Sequence, residues 1–337
     1  MDDVTLEDVA SAAGVSRQTV SRAINGKPEI KAETRTRVLA IAEELGYRPN
    51  FFARSLVTRR SFTVGLVMGD ITNPFFPDVA RGVQDVAEVR GYNVFVCNFG
   101  GPGNDEVQPL RALANRGVDG VIFFTSGNDL EGLYEIADTY SPMVVVNSSV
   151  EHKSISSVQA DLFAAGGLVA DHFADTGRRH PAVIAADYDQ SRQLRVLGFK
   201  HRCQELGLEL DSDNIVDQPS SIDGGVAGTV ELLDRGVHFD SIFAFNDLVA
   251  VGSNRVLQAR GIKVPDECSL VGCDDLTMAE ILSPPLTSIH MDRYGLGASA
   301  MEQLLARLGD AEAEIPETVL PVRLTIRSSS QPPVKSS

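Results

Sequence analysis

Val4-Thr-Leu-Glu-Asp-Val-Ala-Ser-Ala-Ala-Gly-Val-Ser-Arg-Gln-Thr-Val-Ser-Arg-Ala-Ile-Asn25 decides the reading of this 337-residue chain. Thr5 can cap a short helix whose first turn is acidic and whose Leu6, Val9, Ala10 and Ala13 share one face. Gly14 stops it, because a tight turn needs a left-handed residue. Ser16 then caps a second helix, Arg17 to Ile24, with Val20, Ala23 and Ile24 on its inner side. A third helix is predicted over about 32–45, ending at Gly46. The unit is three helices with a helix-turn-helix at the front.

The outer face of the second helix carries Arg17, Gln18, Thr19, Ser21 and Arg22. Arginine pairs bidentately with guanine, glutamine with adenine, and hydroxyls bond phosphate oxygens. A solvated polar face is the plain alternative, but the short glycine turn and the N-terminal position favour DNA reading. Charge is consistent with this. The net charge is −16, yet residues 1–60 hold 10 Lys and Arg against 8 Asp and Glu, whereas the remainder holds 20 against 38. The acidic bulk repels phosphates, so only the N-terminal head can approach them.

The rest of the composition excludes other classes. At 43% hydrophobic and 23% charged the chain is a globular one, long enough for two or three domains. Apolar runs such as Met143–Val146 are strand-sized, so no membrane span is expected. Met1-Asp-Asp-Val4 has no apolar segment directing export, and the expected compartment is the cytoplasm. Cys97, Cys203, Cys268 and Cys273 form no Cys-x-x-Cys pair and read as buried thiols.

The opening stretch, together with Glu33-Thr-Arg35 and Gly46-Tyr-Arg-Pro-Asn50, resembles the lactose/galactose-repressor (LacI/GalR) family. The resemblance implies base reading by Arg17, Gln18 and Arg22, and mainly phosphate contacts from Ser16, Thr19, Ser21 and Asn25. Lys31 stands where the family usually has a serine capping the third helix, a change that weakens the cap by about 1 kcal/mol. Ala53-Arg-Ser-Leu56 resembles the family's hinge helix, with Leu56 as an apolar wedge between base steps. A packing leucine is the plain alternative, since wedge and core leucines look alike in sequence, but the wedge is favoured. The expected organisation is a head over 1–49, a hinge and linker over 50–60, an effector-binding and dimerisation domain over 61–328, and a disordered tail over 329–337.

From Phe62 onward short apolar strands alternate with amphipathic helices: 62–68, a helix at 76–90, 93–97, a helix at 105–116, 120–124, then strands at 143–146, 181–186, 241–245 and 270–272. That rhythm means α/β architecture, with doubly wound parallel sheets, and its length implies two lobes. The resemblance extends here: the family's sensor looks like a periplasmic sugar-binding protein, with crossovers placed near 160, 290 and 321 and a ligand in the cleft.

Ligands in such folds sit at the carboxyl ends of strands. Those ends supply Asp70, Asn73, Phe75, Ser126, Asn147, Asp161, Phe163, Asp189, Asn246, Asp247, Asp274 and Asp275. Arg195, in Arg-Val-Leu-Gly-Phe199, resembles the family's ligand-clamping arginine. Arg195 and Asp274 are the leading pocket residues and Asn246 the third, because a cationic fork and a carboxylate can bond vicinal hydroxyls or a carboxylate. Phe75 or Phe163 would offer an apolar face. Each has an ordinary alternative: Asp247 and Asp275 as helix caps, the phenylalanines as core. Asn147-Ser148, Asp161-Leu162 and Cys273 depart from common sugar-site residues, leaving a polar cleft suited to a sugar or sugar derivative.

A doubly wound enzyme is the first rival, but no dinucleotide fingerprint, phosphate loop or nucleophile elbow occurs, and the six His show no metal spacing. No cofactor is expected. A transport binding protein is the second rival and would lack the DNA head. One short helix reads too few bases for specificity, so the expected partners are pseudo-palindromic double-stranded operator DNA, a small effector and a second copy of the chain. No leucine heptads follow the sensor to make a larger assembly.

Overall fold

The computed structural model describes residues 4–24, 26, 28–47, 60–100, 104–125, 129–140, 142–148, 150–186, 190–310, 313 and 315–331. It divides into two compact units, Met1–Ser61 and Phe62–Ser337.

The first unit has helices α1 (Leu6–Ala13), α2 (Arg17–Ile24) and α3 (Ala32–Glu44). A capping box opens α1: the Asp8 N–H donates to Thr5 Oγ1 at 3.4 Å, and the Thr5 N–H donates to Asp8 Oδ2 at 2.8 Å. These bonds hold the exposed Asp8 carboxyl below its ordinary range. Gly14 ends the helix at φ 64. Ser16 Oγ accepts the Thr19 N–H at 3.1 Å and so opens α2. Lys31 gives α3 no side-chain cap, as the substitution for serine implied. Val9, Ala10, Ala13, Val20, Ala23, Val38 and Ala42 form the core, ringed by Val4, Leu6, Val15, Ile24, Ile30, Ile41 and Tyr47.

The second unit runs β1 (Thr63–Met68), α4 (Phe75–Val89), β2 (Asn93–Asn98), α5 (Val107–Asn115), β3 (Gly120–Phe124), α6 (Leu130–Thr139), β4 (Met143–Val146) and β5 (Ile155–Ala160). It continues with α7 (Leu162–Asp175), β6 (Pro181–Ala186), α8 (Gln190–Leu206), β7 (Ile215–Gln218), α9 (Ile222–Asp234), β8 (Ser241–Ala244) and α10 (Asp247–Ala259). The last elements are β9 (Ser269–Asp274), α11 (Thr277–Ile281), β10 (Thr287–His290), α12 (Arg293–Gly309), β11 (Thr318–Leu320) and β12 (Arg323–Thr325). β1, β4, β6, β8 and β9 are buried throughout, as strands covered on both faces must be.

Two six-stranded sheets result, ordered β11-β5-β4-β3-β1-β2 and β12-β10-β9-β8-β6-β7. Pairing is parallel except for β12, which runs antiparallel to β10. The two sheets repeat one topology. In each, the strand order reverses beside the first strand, between β1 and β3 and between β6 and β8, which are the points where such folds open a crevice. The chain leaves the first sheet after β5, returns to it in α12, and crosses once more between β11 and β12. α12 lies on α4 and on the first sheet.

The expected disordered tail over 329–337 is corrected at its start. Ser329 and Ser330 are fully buried. The Leu270 N–H donates to the Ser329 carbonyl at 2.9 Å, Ser329 Oγ donates to the Leu270 carbonyl at 2.6 Å, and the Thr287 N–H donates to Ser329 Oγ at 2.8 Å. Serine hydroxyls here satisfy ladder groups of β9 and β10, which composition reads as mere polarity. Residues 332–337 lie outside the described residues. Cys203, Cys268 and Cys273 are buried thiols as expected, but Cys97, on the edge strand β2, is half-buried.

Candidate functional sites

α2 buries Val20 and Ala23 and turns Arg17, Gln18 and Arg22 to solvent, with Ser16 exposed ahead of them and Thr19 and Ser21 half-buried. Ser16 Oγ and Thr19 Oγ1 lie 2.9 Å apart at the N-terminal end of the helix, where free N–H groups favour a phosphate. A helix that presents two guanidiniums and an amide on one open face has the donor set for the major groove. Asn25, Leu56 and the hinge over 50–60 lie outside the described residues, apart from Arg60.

In the second unit, Arg195 is buried, 5% exposed, and its Nη1 donates to the Phe245 carbonyl at 2.6 Å, just past the carboxyl end of β8. Its buried Nε–H has no partner among the described residues. Two glycines set its place. A Cβ at Gly198 would come within 2.0 Å of the Phe163 carbonyl, and one at Gly166 within 2.2 Å of the Arg195 carbonyl. α7 and α8 therefore touch backbone to backbone, which puts Phe163 on the helix beside Arg195. Phe163 is 45% exposed, with its ring 5.9 Å from that of His201.

Asp274 and Asp275 end β9 at φ 109 and φ 52. Two successive non-glycine residues in this half of backbone space cost about 1–3 kcal/mol each and persist only where neighbours over-determine them. Here Asp275 does so: its side chain accepts from His290 Nδ1 at 2.9 Å and Thr325 Oγ1 at 3.1 Å and pairs ionically with Arg327 Nη2 at 2.8 Å, and its N–H donates to Ser288 Oγ at 3.0 Å. Burial pushes the Asp275 carboxyl up, but the bonds from Arg327, His290 and Thr325 outweigh it and hold the group below its ordinary value. The Asp274 side chain is buried. Asp247, fully buried next to it, accepts from Ser288 Oγ at 2.6 Å and the Leu276 N–H at 2.7 Å. Burial, then the charge of Asp274, raises Asp247 to about 8. Arg195, Asp274 and Asp247 all act electrostatically on the Cys273 thiol, which burial pushes up to about 12. One buried cation and two carboxyls thus converge at the end of β9.

Other candidates hold structural places. Phe75 is 6% exposed and meets Phe76 and Phe124 edge-on, because the first turn of α4 faces inward. Asn246 caps α10, its Oδ1 accepting the Val249 N–H at 2.9 Å, so the cap is Asn246 and not Asp247. Asp161 caps α7. Exposed Asp70 accepts from the Thr72 N–H and hydroxyl, and Asn73 Oδ1 from the Phe75 N–H. Asn147, at φ 54 after β4, accepts the Ala160 N–H at 3.0 Å. β4 and β9 hold equivalent positions in the two sheets, so strained polar residues end matching strands. Ser126 and Asp189 lie outside the described residues. Asp247, among the strand-end residues but not a leading candidate, and Arg293, absent from them, are tied into this corner, and nothing in the spacing of single charged residues announces Arg293.

Among the described residues no helix is long and apolar enough to cross a membrane, and no group of three or more His, Cys, Asp or Glu residues could hold a metal ion. Residues 5–50 match the model of the bacterial regulatory proteins, lacI family, and residues 170–330 that of the periplasmic binding protein-like domain. Catabolite control protein A of Priestia megaterium is 31% identical over 331 residues, 98% of this chain and 100% of that protein. The transcriptional regulator CelR in complex with cellobiose is 31% identical with a TM-score of 0.73, over 97% of this chain and 100% of that one. The lac repressor dimer bound to operator and the anti-inducer ONPF is 26% identical with a TM-score of 0.88, over 98% and 100%. On its head, its twin-sheet topology and full-length likeness to such regulators, this chain belongs to the lacI family of bacterial regulatory proteins.

Proposed function

We propose that this regulator is a repressor that binds a pseudo-palindromic operator as a homodimer in the cytoplasm, and that a small polar effector between the two lobes sets its affinity. The open face of α2 carries the reading, because Arg17, Gln18 and Arg22 are exposed together while Val20 and Ala23 anchor the opposite side. Arg17, Gln18 and Arg22 read bases, Ser16, Thr19, Ser21 and Asn25 hold phosphates, and Leu56 wedges a base step. The effector is a sugar or sugar derivative: the cellobiose complex of a similar regulator supports this class. Arg195 and Asp274 clamp it, with Phe163 as an apolar face and Asn147, Asn246, Asp70, Asn73 and Ser126 as further polar contacts. No catalysis, metal or cofactor enters the scheme.

Selection of binding sites from random DNA, followed by gel retardation at physiological salt, tests it. Recovery of a two-fold symmetric site is expected, bound about 10³-fold or more tighter than scrambled DNA. Equal retardation of both DNAs would remove the specific-regulator reading.

A further inference from the structure

We propose that Arg293 is a positioning residue that latches the first lobe to the Asp274 corner of the second, resting on the reading of that corner as the effector site. Arg293 is the first residue of α12, immediately after the chain crosses back to the first lobe. Its Nε and Nη2 donate to Asp78 Oδ2 at 3.1 and 2.9 Å, on α4 of the first lobe. Its Nη1 donates to the carbonyls of Asp274 and, at 3.2 Å, Asp275, in the second lobe. One planar guanidinium thus joins a carboxylate of one lobe to two successive carbonyls of the other.

The end in the first lobe is rigid. A Cβ at Gly82 would come within 2.2 Å of the Tyr294 carbonyl, and one at Gly297 within 2.0 Å of the Val79 carbonyl, so α4 and α12 also touch backbone to backbone. Asp292 fixes the start of α12 by accepting the Gly295 N–H at 2.8 Å. The end in the second lobe is the strained Asp274–Asp275 turn, where both residues have positive φ and both carbonyls accept from the one Nη1. The Arg293 side chain is 13% exposed and that of Asp78 35%, so water reaches the pair from the Asp78 side. A ligand that moves the Asp274 backbone must pull on α4 through this fork. Lysine, a single point donor, cannot hold Asp78 and both carbonyls at once.

The test needs neither operator nor effector. Spin labels at Glu131→Cys on α6 and Gln204→Cys on α8, both exposed positions, in a Cys97→Ser background, report the distance between lobes by pulsed electron resonance. Arg293→Met and Asp78→Asn should each broaden or shift the distribution, their double variant no further than either alone, and Arg293→Lys only in part. Hydrogen exchange at 275–276 should rise about tenfold in Arg293→Met while β1 and β3 stay protected. Unchanged distance distributions in folded Arg293→Met overturn the latch. If that variant does not fold, an unchanged distribution in Asp78→Asn overturns it instead. Specific DNA binding without the latch, or the latch without DNA binding, separates this inference from the functional reading.

Discussion

Arg195 donates from Nη1 to the Phe245 carbonyl at 2.6 Å while its guanidinium carbon lies 4.2 Å from the centroid of the same residue's ring. A desolvated cation over an aromatic face is worth about 2 kcal/mol. The fork is thereby held in place with its buried Nε–H unpaired among the described residues. Arg195→Met, which keeps the volume and removes the donors, should abolish effector binding and leave effector-free DNA affinity within about threefold. Isothermal titration with the effector and a DNA titration without it decide this; unaltered effector affinity in the variant puts the pocket elsewhere.

Gly198 is required by the approach of α8 to Phe163. Gly198→Ala places a methyl 2.0 Å from a backbone carbonyl that no rotamer can move. Overpacking of this kind costs about 1–3 kcal/mol, and backbone contact puts it at the upper end. Urea unfolding should show a lower midpoint with an unchanged slope. Gly167, with nothing within 4 Å of its Cβ, is the control: Gly167→Ala should be neutral or stabilising.

How far these sites could be read from sequence differs by element. The apolar runs of β1, β4, β6 and β9 announce buried strands. Ile155–Ala160, Ile215–Gln218 and Thr287–His290 do not, because serine, glutamine and aspartate break the apolar pattern. Ladder bonds to neighbouring strands hold them in the sheets; the first and third are mostly buried, while Ile215–Gln218, at a sheet edge, buries only Val216. Phe75 and Phe163 look alike as aromatics after a strand, yet one is core and the other 45% exposed, a difference set by which side of its helix each occupies. The charged corner at 274–275 was legible as a doublet of aspartates. Its left-handed backbone and the reach of Arg293 across to it depend on tertiary packing.

Ser329 and Ser330 belong to the fold. Truncation after Arg327 strands the Leu270 N–H and the Thr287 N–H and removes the Ser330 hydroxyl that lies 2.7 Å from His172 Nε2. Each unsatisfied buried group costs about 1–3 kcal/mol. A melting temperature lowered by several degrees is expected for that truncation, and none for one after Gln331. Equal melting of the two shortened chains would return 329–330 to a tail.

Asp247 makes stability fall with rising pH. Its pKa is about 8 in the folded chain against 3.8 when unfolded, so between those values the native state binds the extra proton. Its contribution is complete below about pH 4 and lost as pH passes about 8. Asp247→Asn, which keeps an acceptor and cannot ionise, should flatten the decline in melting temperature between about pH 5 and 9. A parallel decline in both proteins would assign the slope to other groups.

Arg22 and the effector site are tested together by fluorescence anisotropy of the full-length protein on its selected DNA site. A thermal-shift panel of mono- and disaccharides, cellobiose included, supplies the effector. Arg22→Ala should cost about 1–3 kcal/mol on the selected site and little on scrambled DNA, through loss of a base contact. In the wild type the effector should change affinity for the selected site by about 5–150-fold, and that DNA should change effector affinity by the same factor. Equal wild-type affinity for selected and scrambled DNA, with or without effector, would contradict the assignment of sequence-specific, effector-controlled DNA binding.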